Sequence, residues 1–235
     1  MISSPNRSTP SAEGFLARRA RLRRIAARFD VSLPTRGYII GKIATDPAYR
    51  AVLEQCTDSP FPIIDIGCGL GLLAHYLREH GCPTLIHGFD FDARKIELAR
   101  RAAKRAGLTD VSFAVGDVAD VPPHESNLVL LDVLHYLEVR AQQRLLQTLA
   151  DRARAGGTVI IRSALRENSW RYRLTLAQEH WTRWSGWINS PAPIRFPSAA
   201  EIAAPFLAAG CRCEALPLWG RTPFNSHLFV ARYAE

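Results

Sequence analysis

Three alternating glycines behind an acid carry the most specific chemistry in this chain. Asp65-Ile66-Gly67-Cys68-Gly69-Leu70-Gly71 follows directly on the apolar stretch Phe61-Pro62-Ile63-Ile64. A short buried strand is expected to deliver the chain to a turn where glycine lets the backbone bend sharply and approach a ligand without Cβ obstruction. Leu72 to Leu77 then opens a helix, whose first N–H groups point back at whatever the loop holds. Such a loop suits a nucleotide-bearing cofactor. Gly69-x-Gly71-x-x-Ala74 also satisfies a dinucleotide fingerprint, so the glycines alone leave a nicotinamide-dependent oxidoreductase open. Asp65 distinguishes the two, because a carboxylate beside a diphosphate is repelled.

The whole segment, acid-x-Gly-x-Gly-x-Gly at the end of a first strand, resembles the first motif of the class I S-adenosylmethionine (SAM) dependent methyltransferases. The resemblance implies cofactor contacts from Asp65, Gly67, Cys68, Gly69 and Gly71, with Asp65 at the methionine amino end. It also implies an α/β fold: a Rossmann-like, doubly wound, seven-stranded and mostly parallel sheet with an antiparallel last strand. A second strand, Leu85 to Phe89, ends in Asp90-Phe91-Asp92. By the same resemblance Asp90 takes the ribose hydroxyls, since one carboxylate accepts two hydrogen bonds from a vicinal diol, and Phe91 sits beside it. Asp92 reads as the N-cap of the helix from Ala93 to Arg105. A third strand, Val111 to Val115, runs into Gly116-Asp117-Val118, where the family's acid accepts from the adenine amino group and the next residue packs on the ring.

The fourth strand, Asn127 to Leu131, ends at Asp132-Val133-Leu134-His135-Tyr136. In open α/β sheets ligands bind beyond the carboxyl ends of the strands, so this segment is expected to face the transferred methyl group. The Asn/Asp-Pro-Pro-aromatic motif of the DNA and glutamine N-methyltransferases is missing. Asp132 followed by His135 resembles instead the enzymes that methylate small molecules. Asp132 is then expected to line the cofactor, and His135 to take a proton from a hydroxyl or an acidic carbon, because imidazole exchanges protons near neutral pH. Helix packing without chemistry is the alternative for His135. Tyr38 and Tyr136 are candidate acceptor contacts.

Behind these residues stands enough chain, 235 residues with 47% hydrophobic content, for one α/β domain with appendages. Five cysteines, an odd number without paired Cys-x-x-Cys spacing, read as free thiols in a reducing cytoplasm, with no metal site. The net charge of +8 is uneven: residues 1–30 hold seven Arg against two acids, and residues 166–195 hold five against two. The body between them is neutral, which argues against a general nucleic-acid footprint and hence against an RNA methyltransferase. A non-catalytic protein of the same fold, binding partners through its basic arms, is a further alternative.

The expected organisation is a disordered tail over residues 1–13, a helical cap over 14–56 and the SAM-binding domain over 57–235. In the cap, Gly14 to Phe29 reads as an amphipathic helix with Phe15, Leu22, Ile25, Ala26 and Phe29 on one side and arginines on the other. It suits an anionic membrane surface or an acidic protein partner, or packs on the domain with its arginines in water. A second helical stretch, Arg36 to Glu54, is expected to break near Asp46-Pro47.

A helical insertion over about 166–195 places Trp170, Leu174, Ala177, Trp181, Trp184 and Ile188 on one stripe, with spacings of 4, 3, 4, 3 and 4. The family commonly builds its substrate lid here, so Trp181 and Trp184 are expected to line a pocket for a flat or apolar acceptor. A final hairpin, Cys211 to Leu218 and Ser226 to Arg232, brings Asn225 toward the acceptor side. The segments Arg36-Gly-Tyr-Ile-Ile-Gly-Lys42 and Gly220-Arg-Thr-Pro-Phe-Asn225 resemble, more narrowly, methyltransferases of bacterial aryl-polyene and related polyketide pigment pathways. That resemblance implies a phenolic acceptor, carried on an acidic acyl carrier protein.

Overall fold

The computed structural model describes residues 12–116, 125–153, 156–184, 193–220 and 222–234. Asp117, Val118 and most of the expected tail lie outside them. Seven strands form one sheet in the order β3-β2-β1-β4-β5-β7-β6. The strands are β1 Ile63–Ile66, β2 Ile86–Asp90, β3 Val111–Val115, β4 Asn127–Leu131, β5 Val159–Ala164, β6 Cys211–Pro217 and β7 Ser226–Tyr233. The first five pair in parallel, and β7 runs antiparallel between β5 and β6. This is the sheet the family resemblance implies.

Strand alternation sends successive side chains to opposite layers. Ile63, Val129 and Ile160 pack beneath α1 (Ala12–Ala27), α2 (Leu33–Thr45), α3 (Ala48–Cys56), α4 (Leu72–Glu79) and α5 (Ala93–Arg105). Ile64, Leu130 and Ile161 pack against α6 (Val139–Ala153) and α8 (Ala199–Ala208). One further helix, α7 (Trp170–Trp184), follows β5 and contributes no side chain to either apolar cluster.

Local signals fix where several helices start. Ser32 caps α2 by accepting from the Thr35 N–H, and Ser198 with Glu201 forms a reciprocal capping box on α8. The break near Pro47 separates α2 from α3, with the Asp46 carboxylate accepting from the Ala48 N–H at 2.9 Å. The basic helix α1 packs on the domain. Ile25, Ala26 and Phe29 are buried, Arg24 reaches Glu79 at 3.0 Å, and Arg28 pairs with the same carboxylate.

Candidate active site

The turn after β1 is built from left-handed glycines: Gly67, Gly69 and Gly71 have φ of +76°, +55° and +71°. A Cβ on Gly67 would lie 2.3 Å from Val133, and one on Gly71 would lie 2.4 Å from the Phe113 ring. At Gly69 it would meet nothing, because this residue faces a cavity of about 510 Å³. Asp65, Gly67, Cys68, Gly69 and Leu70 line that cavity together with Asp92, the cap of α5, and Lys95 in its first turn.

Asp65 is buried, and its carboxyl is pushed up to about 7, first by burial and then by the neighbouring Asp90. Among the described residues it forms no ion pair. Asp90 does not line the cavity as the sequence implied. One of its oxygens accepts from the Gly69 N–H at 2.8 Å and the other from the Asp92 N–H at 2.9 Å, so it ties the glycine loop to the end of β2. Asp92, read from sequence only as a helix cap, does cap α5, its Oδ1 accepting from the Arg94 and Lys95 N–H groups, and also lines the cavity. Phe91 is corrected too, being 66% exposed and outside the lining.

A second chamber of about 360 Å³ adjoins the first, and Tyr38, Lys42, Asp46, Asp132 and Arg162 border both. Four of these are charged and paired. Asp46 accepts from Arg162 at 2.5 Å and lies 3.1 Å from Lys42; Asp132 lies 3.2 Å from Arg162 and 3.6 Å from Lys42. Burial opposes charge on Asp46, but Arg162 and Lys42 more than reverse it and bring its pKa down to about 2. For Lys42 too burial opposes the charge, and Tyr49, Asp132 and Asp46 outweigh it, so its pKa is raised. Asp132 is the one described non-glycine residue with positive φ, at +60°, a conformation that costs about 1 kcal/mol or more in an L residue. Its position at the end of β4 is legible in sequence; its partners are not.

His135 sits in the short 3₁₀ turn Leu134–Tyr136 and lines the second chamber. Its side chain is only 2% exposed, and among the described residues neither ring nitrogen has a hydrogen-bond partner. The nearest acid is Glu179 of α7, whose Oε2 is 3.7 Å from Nε2 and accepts from the Tyr136 hydroxyl at 2.6 Å. Burial would raise the Glu179 pKa, but His135 and Tyr136 prevail and lower it. Sequence reasoning missed Glu179, which lies between Trp170 and Trp184 on a helix read for its tryptophans. It missed Lys42 and Arg162 as well.

Three other expectations fail. Trp181 and Trp184 are 67% and 79% exposed and line neither chamber, because α7 turns its polar face inward. Asn225 is fully buried as a structural link: its N–H donates to Thr175 Oγ1 at 2.9 Å and its side-chain amide to the Leu165 carbonyl at 2.8 Å. Tyr136 does not line the chamber and reaches it through Glu179. Tyr38 borders both chambers.

This three-layer fold, with a glycine loop after β1 and an antiparallel β7, is that of the class I methyltransferases. Residues 63–157 match the family model described as a methyltransferase domain. The chain is 27% identical over 141 residues to a ribosomal protein L11 methyltransferase from Burkholderia vietnamiensis, covering 58% of this chain and 44% of that one. It thus spans less than half the length of that curated relative. Among solved structures, magnesium protoporphyrin IX methyltransferase from Synechocystis PCC 6803 with bound SAH superposes with a TM-score of 0.63 at 19% identity, over 95% of each chain. An O-methyltransferase from neocarzinostatin biosynthesis, in complex with SAM and 2-hydroxy-5-methyl naphthoic acid, gives 0.58 at 18% identity, over 83% of this chain and 55% of that one.

The residues present fit SAM. The buried Asp65 carboxyl, with no described cation beside it, suits an ammonium group. The open face of Gly69 leaves room for a ligand against the backbone, and Asp92, on the cavity lining, caps its helix through Oδ1 and leaves Oδ2 to accept from hydroxyls.

Proposed function

We propose that this chain is a SAM-dependent methyltransferase whose acceptor is a small aromatic or apolar molecule bound in the second chamber, with His135 as proton acceptor. The observation that carries this reading is the buried His135 imidazole, whose ring nitrogens have no hydrogen-bond partner among the described residues and whose nearest acid is Glu179 at 3.7 Å, in the wall of a chamber adjoining the cofactor cavity. Leaving such a group unsatisfied costs about 1–3 kcal/mol, and a hydroxyl-bearing acceptor would relieve it.

SAM supplies a methyl group on a sulfonium centre, which is an excellent leaving group, so displacement requires no covalent enzyme intermediate. The chain's share is positioning and proton management. Asp65, the glycine loop and Asp92 hold the cofactor. Tyr38 and the paired charges of Lys42, Asp46, Asp132 and Arg162 form the partition against which the acceptor rests. His135 accepts the proton from the attacking hydroxyl or acidic carbon, and Glu179 stabilises the imidazolium that results. The phenolic acceptor implied by the narrower resemblance is one that fits.

The test is turnover on a panel of uncharged phenols and naphthols, with hydroxybenzoates as their anionic counterparts and wild type beside His135→Ala. We expect methylated product from at least one phenol, a fall in kcat of about 10²-fold or more in the variant, and SAH affinity within twofold of wild type. Unchanged kcat in His135→Ala would refute the role given to His135.

A further inference from the structure

Helix α7 is amphipathic in the wrong sense for a protein surface in water. Trp170, Leu174, Ala177, Trp181 and Trp184 recur at helical spacing and all face outward. Trp170, Trp181 and Trp184 are 62%, 67% and 79% exposed, and the last two rings meet at a centroid distance of 5.3 Å. The inward contacts are polar. Thr175 accepts from the Asn225 N–H, Glu179 accepts from Tyr136, and Arg171 donates to the Thr222 carbonyl at 2.9 Å between the rings of Trp170 and Trp219. The helix is therefore anchored through its polar side, while no described residue covers its apolar side. A continuous stripe of indoles in water is unfavourable, and patches of this kind mark interaction sites.

Charge narrows the occupant. The one acid of α7, Glu179, is turned inward, and among the described residues the outer face carries apolar side chains with the exposed Arg173 and His180. Indoles settle at the boundary between headgroups and acyl chains, and arginines are drawn to anionic lipid. No described helix is long and apolar enough to cross a membrane. We infer that the outer face of α7 docks on an anionic lipid bilayer, with Trp170, Trp181 and Trp184 seated at the headgroup level. Because the same helix walls the second chamber with Thr175, Gln178 and Glu179 on its inner side, docking would set that chamber directly behind a helix seated on the membrane.

The experiment is co-sedimentation of the full chain with vesicles of phosphatidylcholine alone or mixed equally with phosphatidylglycerol, comparing wild type with a Trp181→Ala/Trp184→Ala double variant. Both residues lie outside the chambers, so SAH binding by the variant reports its folding and is read independently of membrane binding. We expect wild type to bind the anionic vesicles and the double variant to bind them at least about tenfold more weakly, with SAH affinity retained. Three results would overturn the inference: no vesicle binding, vesicle binding indifferent to the tryptophans, or a tryptophan-dependent dimer or complex with an acidic carrier protein that excludes vesicles. If the double variant fails to fold, Trp181→Lys alone decides by the same readings.

Discussion

Burial, and then the neighbouring Asp90, push the Asp65 carboxyl up to about 7, which makes cofactor affinity depend on pH in a definite direction. An acid raised from its ordinary value near 4 retains a proton in the folded apo protein that the unfolded chain has released. The shift of about three units corresponds to ~4 kcal/mol of disfavoured charge, so apo stability should decline as pH rises from about 4 through 7. A ligand ammonium reverses the preference, because it binds the carboxylate form. Below pH 7 each bound molecule must then displace a proton. Between pH 7 and pH 5 the fraction of ionised Asp65 falls roughly fifty-fold, and the SAH dissociation constant should rise by the same factor, about 2 kcal/mol. Calorimetry at pH 5, 6 and 7 measures this directly while the ligand's amine remains protonated. 5′-Methylthioadenosine, which lacks the amino-acid portion, should show no such slope. Asp65→Asn should bind SAH weakly and with the slope abolished. A flat profile in wild type, or an unchanged slope in Asp65→Asn, would refute the placement of the ammonium at Asp65.

Gly71→Ala forces a side chain into a left-handed position and against the Phe113 ring; we expect a loss of about 2–4 kcal/mol in urea unfolding, partly recovered by Phe113→Leu. Removing residues 1–30 strips Ile25 and Phe29 from the core and leaves Glu79 without Arg24 and Arg28. The expected cost is about 4–6 kcal/mol in equilibrium unfolding, whereas removing residues 1–11 alone spares all of these contacts. Glu179→Gln keeps an acceptor for Tyr136 but removes the charge facing His135. Its kcat should fall about tenfold at unchanged SAH affinity, and an undiminished kcat would separate Glu179 from the chemistry.

What was legible in the sequence is what local pattern encodes. The strand-turn-helix around Gly67 to Gly71, the acids at the ends of β1 and β4, the helix caps at Ser198 and Asp92, and the antiparallel β7 all follow from short-range periodicity or from the family resemblance. The partition between the chambers was not legible. Its charges come from α2, β4 and β5, and Arg162 reaches Asp46 across 116 positions of sequence, so no local spacing signals the meeting. The tryptophans failed for a different reason. Periodicity places side chains on one face of a helix without saying what covers that face, and here Thr175 and Glu179 claim the interior. Asp90 was placed correctly at the strand end, but backbone N–H groups take both of its carboxylate oxygens, whereas Asp92 caps its helix through Oδ1 alone and lines the cavity.

The partition also bears on which acceptors the second chamber admits. Lys42 and Arg162 match Asp46 and Asp132 in number, so the wall carries two opposite pairs and no surplus charge. Buried pairs of this kind contribute little net stability relative to apolar packing of the same volume, while removing one partner strands another at a cost of about 3–5 kcal/mol. Their service here is geometric. Three elements, α2, β4 and β5, are locked together around the end of β4, and Asp132 is held at a strained positive φ. An anionic acceptor would have to compete with Asp46 and Asp132 for the two cations, and a cationic one with Lys42 and Arg162 for the two carboxylates. A neutral, flat molecule whose one polar group reaches His135 faces neither competition, which is the electrostatic reason to look for the acceptor among phenols and other uncharged hydroxyl compounds.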